Sequence, residues 1–122
     1  MIYTGYFAQL KKYQEAGLTP VSIARITPSW YQGYVIPELA PSKSLLYRYK
    51  AGEVTQDAYI KEYTQQLDHM RWGGLMKKLK TYGDDVVLLC YEKSSDFCHR
   101  HILAEYLTES WQPVREYQIH KK

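Results

Sequence analysis

Apolar residues recur at two different spacings along the first part of the chain, and the change between them predicts a strand, a helix and a second strand. Residues 1–4 are apolar and β-branched enough for a short first strand. Helical spacing follows in Tyr6, Phe7, Leu10 and Tyr13. Residues 21–26 read as a second strand that Pro28 ends. Elements this close together favour a right-handed crossover between two parallel strands.

Three further helices are predicted from the same periodicity. The first begins after Thr55, a good N-cap, and its apolar stripe consists of Tyr59, Ile60, Tyr63, Leu67 and Met70. Gly73 and Gly74 are expected to break the chain before a helix that ends at Gly83. The last helix is expected over about residues 97–108. These helices should flank a central sheet.

The remaining apolar runs complete that sheet. Val86–Cys90 is continuously apolar, as expected of a strand buried on both faces. Val114–Ile119 alternates, which suits a strand at the sheet edge. We therefore expect an α/β fold in which residues 1–122 form a single three-layer domain. About four mostly parallel central strands would be flanked by helices.

Residues 27–54 show neither period and contain three prolines and two glycines. An irregular segment of this length is usually a functional loop or a disordered one. The aromatic residues Trp30, Tyr31 and Tyr34 argue against disorder. We expect an ordered loop over one edge of the sheet, and Ser44–Lys50 fits either a short helix or a strand.

Composition narrows the class of protein. The chain has 122 residues, a net charge of +3 and two cysteines. Its aromatic residues are 13 tyrosines, 3 tryptophans and 2 phenylalanines. The small positive charge fits an anionic ligand but is common without one. Neither a signal peptide nor an apolar run of about 20 residues is visible, so no membrane contact is expected. We expect a cytoplasmic protein with free thiols.

Both cysteines lie in one strand, turn and helix unit that concentrates the candidate chemistry. Cys90 and Glu92 come at the carboxyl end of the central strand, and Cys98, His99 and Arg100 open the next helix. Ligands of open α/β sheets bind outside the carboxyl ends of strands. A thiol at a helix N-terminus beside a histidine and an arginine should have a lowered pKa.

Each of these residues also has a purely structural interpretation. Cys90 could simply pack, and His99 could bond a nearby carbonyl or carboxylate group. Arg100 could pair with Glu92 or Asp96 and hold the turn. Arg25, expected near the same strand end, could be solvated. The sequence leaves these alternatives open.

Known motifs account for little of this pattern. A Cys-x5-Arg loop fails because Asp96 stands at the arginine position, and a Cys-x-x-Cys pair fails because seven residues separate Cys90 from Cys98. A zinc site at Cys90, Cys98 and His99 would be unorthodox and lacks a fourth ligand, so we assign no metal. There is no Walker loop or GxGxxG motif, and the cofactor is unknown.

Several segments resemble the domain of unknown function 488 family. They are Val87–Glu92, followed by Phe97–Arg100 and Ala104–Glu105, together with the opening Tyr3–Gly5 and the middle helix Tyr59–Tyr63. Many members of that family carry Asp-x-Arg at the end of the second strand. Here Ile23-Ala24-Arg25 keeps the arginine without the acid, as in a shorter subgroup. The resemblance implies an α/β fold and a site, and it implies no particular reaction.

Our leading hypothesis is a cleft that binds a small anionic, phosphate- or nucleotide-like ligand, in a domain that could be an enzyme. The candidate catalytic residues are Cys98, Glu92, His99 and Cys90. The candidate ligand-binding residues are Arg25, Arg100, Tyr3, Trp30 and Lys50. One alternative is a nucleic-acid-binding module that uses the aromatic and basic residues of 27–54. Another is a non-catalytic structural or interaction domain. The oligomeric state is not indicated.

Overall fold

The computed structural model describes residues 1–93 and 97–119. Five strands are present in these ranges: β1 (Ile2–Tyr6), β2 (Thr19–Ser22), β3 (Tyr34–Val35), β4 (Val86–Cys90) and β5 (Val114–Glu116). The helices are α1 (Leu10–Glu15), α2 (Lys43–Lys50), α3 (Gln56–Asp68), α4 (Trp72–Tyr82) and α5 (His99–Ser110). Short 3₁₀ turns cover Phe7–Gln9 and Pro37–Leu39.

All five strands run parallel in the order β3-β2-β4-β1-β5, which confirms the predicted α/β fold with one strand more than expected. The continuously apolar β4 is central, and Leu88 pairs with Thr4 on one side and Val21 on the other. Every residue of β4 is buried, as its composition predicts. The first two strands are parallel but are not neighbours, because β4 lies between them. The prediction that β1 and β2 pair with each other, which was based on their closeness in sequence, was therefore wrong.

The sheet separates two apolar clusters because successive strand side chains point to opposite faces. Val86 and Leu88 belong to the larger cluster, which includes side chains from α2, α3, α4 and α5. Val87 and Leu89 belong to the smaller cluster, which is covered by α1 and by Phe7 and Tyr31. The helices are thus distributed unevenly over the two faces.

The segment 27–54, expected to be a loop, contains β3, the second 3₁₀ turn and α2. Ser42 is the N-cap of α2, because its hydroxyl oxygen accepts the Leu45 backbone N–H at 3.1 Å. The stretch that fitted either a helix or a strand is therefore helical. Its periodicity is hard to recognise because only Leu45 is fully buried.

Several predicted boundaries were wrong. The last strand ends at Glu116 rather than at Ile119. The second strand ends at Ser22 rather than at residue 26, because the chain turns after Ser22. The Ser22 hydroxyl stabilises this turn, since it accepts the Ala24 N–H at 3.4 Å and forms a hydrogen bond with the Thr27 hydroxyl at 2.8 Å. Helix α4 begins at Trp72 and includes both glycines that were expected to break it. The Trp72 indole N–H donates to the Leu67 carbonyl oxygen at 2.8 Å, and this bond fixes the start of α4 on the end of α3.

Gly5 in β1 leaves room for the buried ring of Tyr13. A Cβ at Gly5 would lie 2.5 Å from the Tyr13 Cζ atom. The ring cannot move aside easily, because it is fully buried and its hydroxyl oxygen accepts the Tyr6 N–H at 3.2 Å. Gly5→Ala should therefore lower the free energy of unfolding, measured by urea denaturation, by about 1–3 kcal/mol.

Gly73→Ala is the matched control for this substitution. Gly73 lies in α4, and a Cβ there would meet nothing within 4 Å. Alanine at this position should raise the free energy of unfolding by about 0.4–1 kcal/mol, because it restricts the unfolded chain. Equal effects of the two substitutions would contradict the packing argument.

Among the described residues, none of the helices combines the length and the apolar character needed to cross a membrane.

Candidate functional site

A cleft of about 370 Å³ lies beside the carboxyl ends of the adjacent strands β2 and β4. Side chains from four parts of the chain line it: the turn after β2, helix α2, helix α3 and the unit that joins β4 to α5. These residues are Ala24, Arg25, Ile26, Leu46, Tyr49, Lys50, Tyr59, Cys90, Tyr91, Glu92, Phe97, Cys98 and His99. All four candidate catalytic residues are among them. Arg25 and Lys50 are the candidate ligand-binding residues that line the cleft.

The sulfurs of Cys90 and Cys98 are in contact in this cleft, but the Cα atoms of the two residues are 7.7 Å apart, which is farther than a disulfide spans. Cys90 is the last residue of β4 and Cys98 is the N-cap of α5, so the end of the strand and the start of the helix face each other. The backbone geometry therefore gives no support for a disulfide, and the free thiols expected from the sequence remain a prediction. Seven intervening residues said nothing about the distance between the two sulfurs in space.

His99 is buried and neutral. Its Nε2 atom lies 2.8 Å from the Ile23 carbonyl oxygen, which can only accept, so Nε2 carries the hydrogen. The lone pair is then on Nδ1, 3.8 Å from the Cys98 sulfur. Burial lowers the pKa of His99 to about 4, and Arg100, His101 and Arg25 act in the same direction. Bonding to a backbone carbonyl was one of the two interpretations left open by the sequence.

Arg100 is fully buried and occupied by contacts within the protein. Its guanidinium bonds both carboxylate oxygens of Glu116, Nε to Oε1 at 3.0 Å and Nη2 to Oε2 at 2.9 Å. Nη1 donates to the Cys90 sulfur at 3.0 Å and to the Glu92 carbonyl oxygen at 2.6 Å. Arg100 is not among the residues that line the cleft. The structure therefore places it beneath the site rather than against a ligand.

The sequence missed the partner of Arg100. We considered the carboxylates of Glu92 and Asp96, but the observed partner is Glu116 in β5. Asp96 lies outside the described residues, and Glu92 contributes its backbone carbonyl rather than its carboxylate. An acidic residue in an edge strand gives no local sign that it will face the start of α5.

Arg25 is held at the cleft by the backbone. Its Nη2 atom donates to the carbonyl oxygens of Ala40 and Pro41, at 3.3 and 2.9 Å. Its Nε atom is buried and has no hydrogen-bond partner within the described part of the chain. The second cation of the cleft is the exposed Lys50 at the end of α2. Within residues 1–93 and 97–119, the exposed Glu92 is the acidic residue that lines the cleft.

An aromatic wall, formed by Tyr49, Tyr59 and Phe97, closes one side of the cleft. Tyr49 stacks on Phe97 with ring centroids 5.6 Å apart, and Tyr59 meets Phe97 edge to face at 5.1 Å. Burial raises the pKa of Tyr59 above its usual value, so its hydroxyl stays protonated. The sequence assigns Tyr59 to the apolar stripe of α3 and Tyr49 to the aromatic and basic segment 27–54, and it predicts neither residue in the cleft.

Two candidate ligand-binding residues lie elsewhere. Tyr3 packs edge to face on Tyr117, with centroids 5.2 Å apart, in the smaller apolar cluster. Trp30 is exposed and lies edge to face against Phe7 at 6.3 Å. Neither residue lines the cleft. Their assignment as ligand-binding residues therefore finds no support in the geometry.

The cleft also contains three potential metal-binding atoms, from Cys90, Cys98 and His99, within 4.8 Å of one another. Two cysteine sulfurs and one imidazole nitrogen are ligands that zinc prefers, but a closed structural site needs a fourth ligand, and the described residues supply three here.

The chain was compared with known proteins. No curated protein and no solved structure matches it. The family model DUF488-N3a, described as the active DUF488-N3 subclade, matches residues 11–111. This span runs from α1 through α5 and includes every residue that lines the cleft. The resemblance noted in the sequence is thereby confirmed, and the chain belongs to the DUF488-N3a family.

Proposed function

We propose that this protein binds a small organic anion, of the nucleotide or aryl phosphate class, in the cleft beside β2 and β4. The observation that carries the proposal is the buried Nε–H of Arg25, which has no partner within the described residues. Leaving such a donor unsatisfied costs about 1–3 kcal/mol. A phosphate or carboxylate oxygen in the cleft would remove that cost.

The size and lining of the cleft support the same class of ligand. Its volume of about 370 Å³ is typical of small-molecule sites. Tyr49 and Phe97 offer ring surfaces to a planar group. Among the described residues that line the cleft, Arg25 and Lys50 supply two cations and Glu92 supplies one carboxylate, and His99 adds no charge near neutral pH. The cleft is therefore suited to a ligand with an aromatic part and a negative part.

If the domain is an enzyme, different residues of the cleft would have different chemical roles. Glu92 is the carboxylate we propose for acid/base work on a bound ligand. Cys98, the N-cap of α5, would serve as the nucleophile in its thiolate form. Arg100 would act as a positioning residue, since it holds the Cys90 sulfur and the backbone at Glu92.

Binding measurements test this proposal. Isothermal titration with nucleoside monophosphates and with inorganic phosphate should detect binding by the native protein. Arg25→Met should weaken it by about tenfold or more, because a charge-assisted hydrogen bond is lost. Lys50→Met should also weaken binding. This substitution leaves the Arg25 contacts to the Ala40 and Pro41 carbonyl oxygens in place.

Arg71→Met is the control for these substitutions. Arg71 is exposed at the start of α4 and does not line the cleft. Its replacement removes one positive charge and should leave the affinity unchanged at 0.1 M salt, where distant charges are screened. Equal losses in all three variants, or no binding of any anion by the native protein, would overturn the proposal.

A nucleic-acid-binding module is a second candidate, favoured by the exposed Tyr47, which is 74% accessible, and by Lys50 at the cleft. Two other members of the aromatic and basic segment are occupied elsewhere. Arg48 pairs with Glu62, and Tyr31 is buried with its hydroxyl donating to the Tyr34 carbonyl oxygen. Oligonucleotide affinity that exceeds mononucleotide affinity and falls steeply with salt would favour this candidate.

A further inference from the structure

Three atoms of the kinds that bind metal ions meet in the cleft, which the binding of an anion does not explain. They are the sulfurs of Cys90 and Cys98 and the Nδ1 atom of His99, all within 4.8 Å of one another. Nδ1 lies 3.8 Å from the Cys98 sulfur. Around a tetrahedral zinc ion, a sulfur and a nitrogen ligand lie about 3.5 Å apart, because their bonds are about 2.3 and 2.0 Å long. The observed spacing is therefore close to one edge of a zinc site.

The backbone at the two cysteines also suits a shared ion. Their Cα atoms are 7.7 Å apart, which is too far for a disulfide. Two sulfurs bound to one zinc ion lie about 3.8 Å apart, and this arrangement accommodates the longer Cα separation. Rotation about the Cα–Cβ bonds separates the sulfurs enough to admit the ion. Cys98 has an extended backbone, whereas His99 begins α5, so these sequence neighbours can present their ligand atoms to the same point.

Hydrogen bonds orient two of the three ligands from behind. The Nε2–H of His99 donates to the Ile23 carbonyl oxygen at 2.8 Å, which leaves the Nδ1 lone pair free to bind a metal. Histidines that bind metals typically donate their other ring N–H in this way. The Cys90 sulfur accepts a hydrogen bond from Arg100 at 3.0 Å, and a guanidinium stabilises a thiolate. These contacts are the supporting shell that a metal site requires.

We propose that Cys90, Cys98 and His99 bind a divalent ion of the zinc type, with its fourth coordination position open to the cleft. Two sulfurs and one imidazole select zinc over magnesium or calcium, which prefer oxygen ligands. All three ligands line the cleft, so the remaining position faces the space that a small molecule would occupy. Sites with three protein ligands leave the fourth position to water or to a substrate atom.

The metal site does not depend on the proposed anion ligand, because its three ligands are the same whatever occupies the cleft. Two thiolates neutralise the charge of the ion, so Arg25 and Lys50 still make the cleft positive. With the ion bound, both sulfurs are ligands. The role of nucleophile proposed for Cys98 then belongs to the metal-free protein only.

Cobalt(II) reports the site in the native protein. The protein is reduced with a phosphine, freed of metal with EDTA and titrated with Co²⁺. One ion per chain should produce a thiolate-to-cobalt charge-transfer band and the intense visible bands of a tetrahedral site, and Zn²⁺ should abolish both. Absence of the charge-transfer band would overturn the proposal.

Ligand variants identify the three residues. Cys90→Ser, Cys98→Ser and His99→Gln should each weaken zinc affinity, measured by competition with a chelating dye, by about a hundredfold or more, since loss of an outer partner alone costs about 10- to 100-fold. His69→Gln is the control, because His69 is exposed at the end of α3, and it should bind zinc as the native protein does. Unchanged affinity in the three ligand variants would overturn the assignment. If a variant fails to fold, the cobalt spectrum of the native protein decides the question.

Two further measurements test the open position and separate the metal from the anion site. Thiocyanate added to the cobalt-loaded protein should shift the visible bands, and unchanged bands would overturn the open fourth position. Arg25→Met, which should weaken anion binding, should bind zinc at least as tightly as the native protein, because it removes a nearby positive charge. Weaker zinc binding in this variant would overturn the independence of the two sites. Titrations of nucleotides and phosphate in the presence of EDTA test the proposed function by itself.

Discussion

Arg100→Ala is expected to lower the free energy of unfolding by about 3–5 kcal/mol, because it removes one partner of a buried ion pair. The Arg100 side chain is completely inaccessible and that of Glu116 is 15% accessible. The substitution would leave the Glu116 carboxylate without its two-point contact and the Glu92 carbonyl oxygen without its donor. Urea denaturation at neutral pH measures the loss.

Arg48→Ala is the matched control for that measurement. Arg48 also bonds a glutamate, Glu62, but both side chains are more than a third accessible to solvent. Exposed pairs contribute little because water screens them. The loss should therefore be far smaller than for Arg100. Similar losses in the two variants would show that burial does not set the strength of the Arg100 contacts.

The contacts of Arg100 also hold the elements around the cleft together. Arg100 begins α5, Glu116 ends β5, and the Glu116 carboxylate accepts the Thr4 hydroxyl of β1 at 2.7 Å. The same guanidinium contacts the last residue of β4 and the backbone at Glu92. One buried cation therefore joins three strands and a helix directly beneath the cleft, and its contacts stabilise the fold around the site.

Local patterns in the sequence were sufficient to predict the elements whose burial is regular. The central strand β4 was recognisable because all five residues are apolar, and α3 because Tyr59, Tyr63 and Leu67 recur on one face. The unit that joins β4 to α5 was recognisable as the site because it contains both cysteines and the Cys-His-Arg run. These signals are contained within about fifteen neighbouring residues.

The parts that could not be predicted depend on contacts between distant residues. The neighbours of β4 are set by packing across the whole sheet, so the nearness of β1 and β2 in sequence was misleading. The Arg100–Glu116 pair and the aromatic contact of Tyr49 with Phe97 join residues that share no local pattern. The contact between the Cys90 and Cys98 sulfurs joins residues whose spacing matches no short motif.

Acid should destabilise the protein through His99, and the sign follows from its pKa. In the folded protein the pKa is about 4, whereas the ordinary value is 6.5. Between these values the unfolded chain binds a proton at His99 and the folded protein does not, so stability falls as the pH is lowered. The difference corresponds to about 3 kcal/mol, because each tenfold change in proton affinity is worth about 1.4 kcal/mol. This loss should develop between about pH 6.5 and pH 4.

His99→Gln isolates this contribution. The glutamine side chain keeps an N–H donor for the Ile23 carbonyl oxygen but has no titratable nitrogen. The free energy of unfolding, measured by urea denaturation from pH 7.5 to 4, should fall less steeply in this variant. His69→Gln removes an exposed histidine and should retain the steep fall. If His99→Gln and the native protein lost stability in parallel, His99 would be protonated in the folded state, and its Nδ1 could not present a lone pair to Cys98.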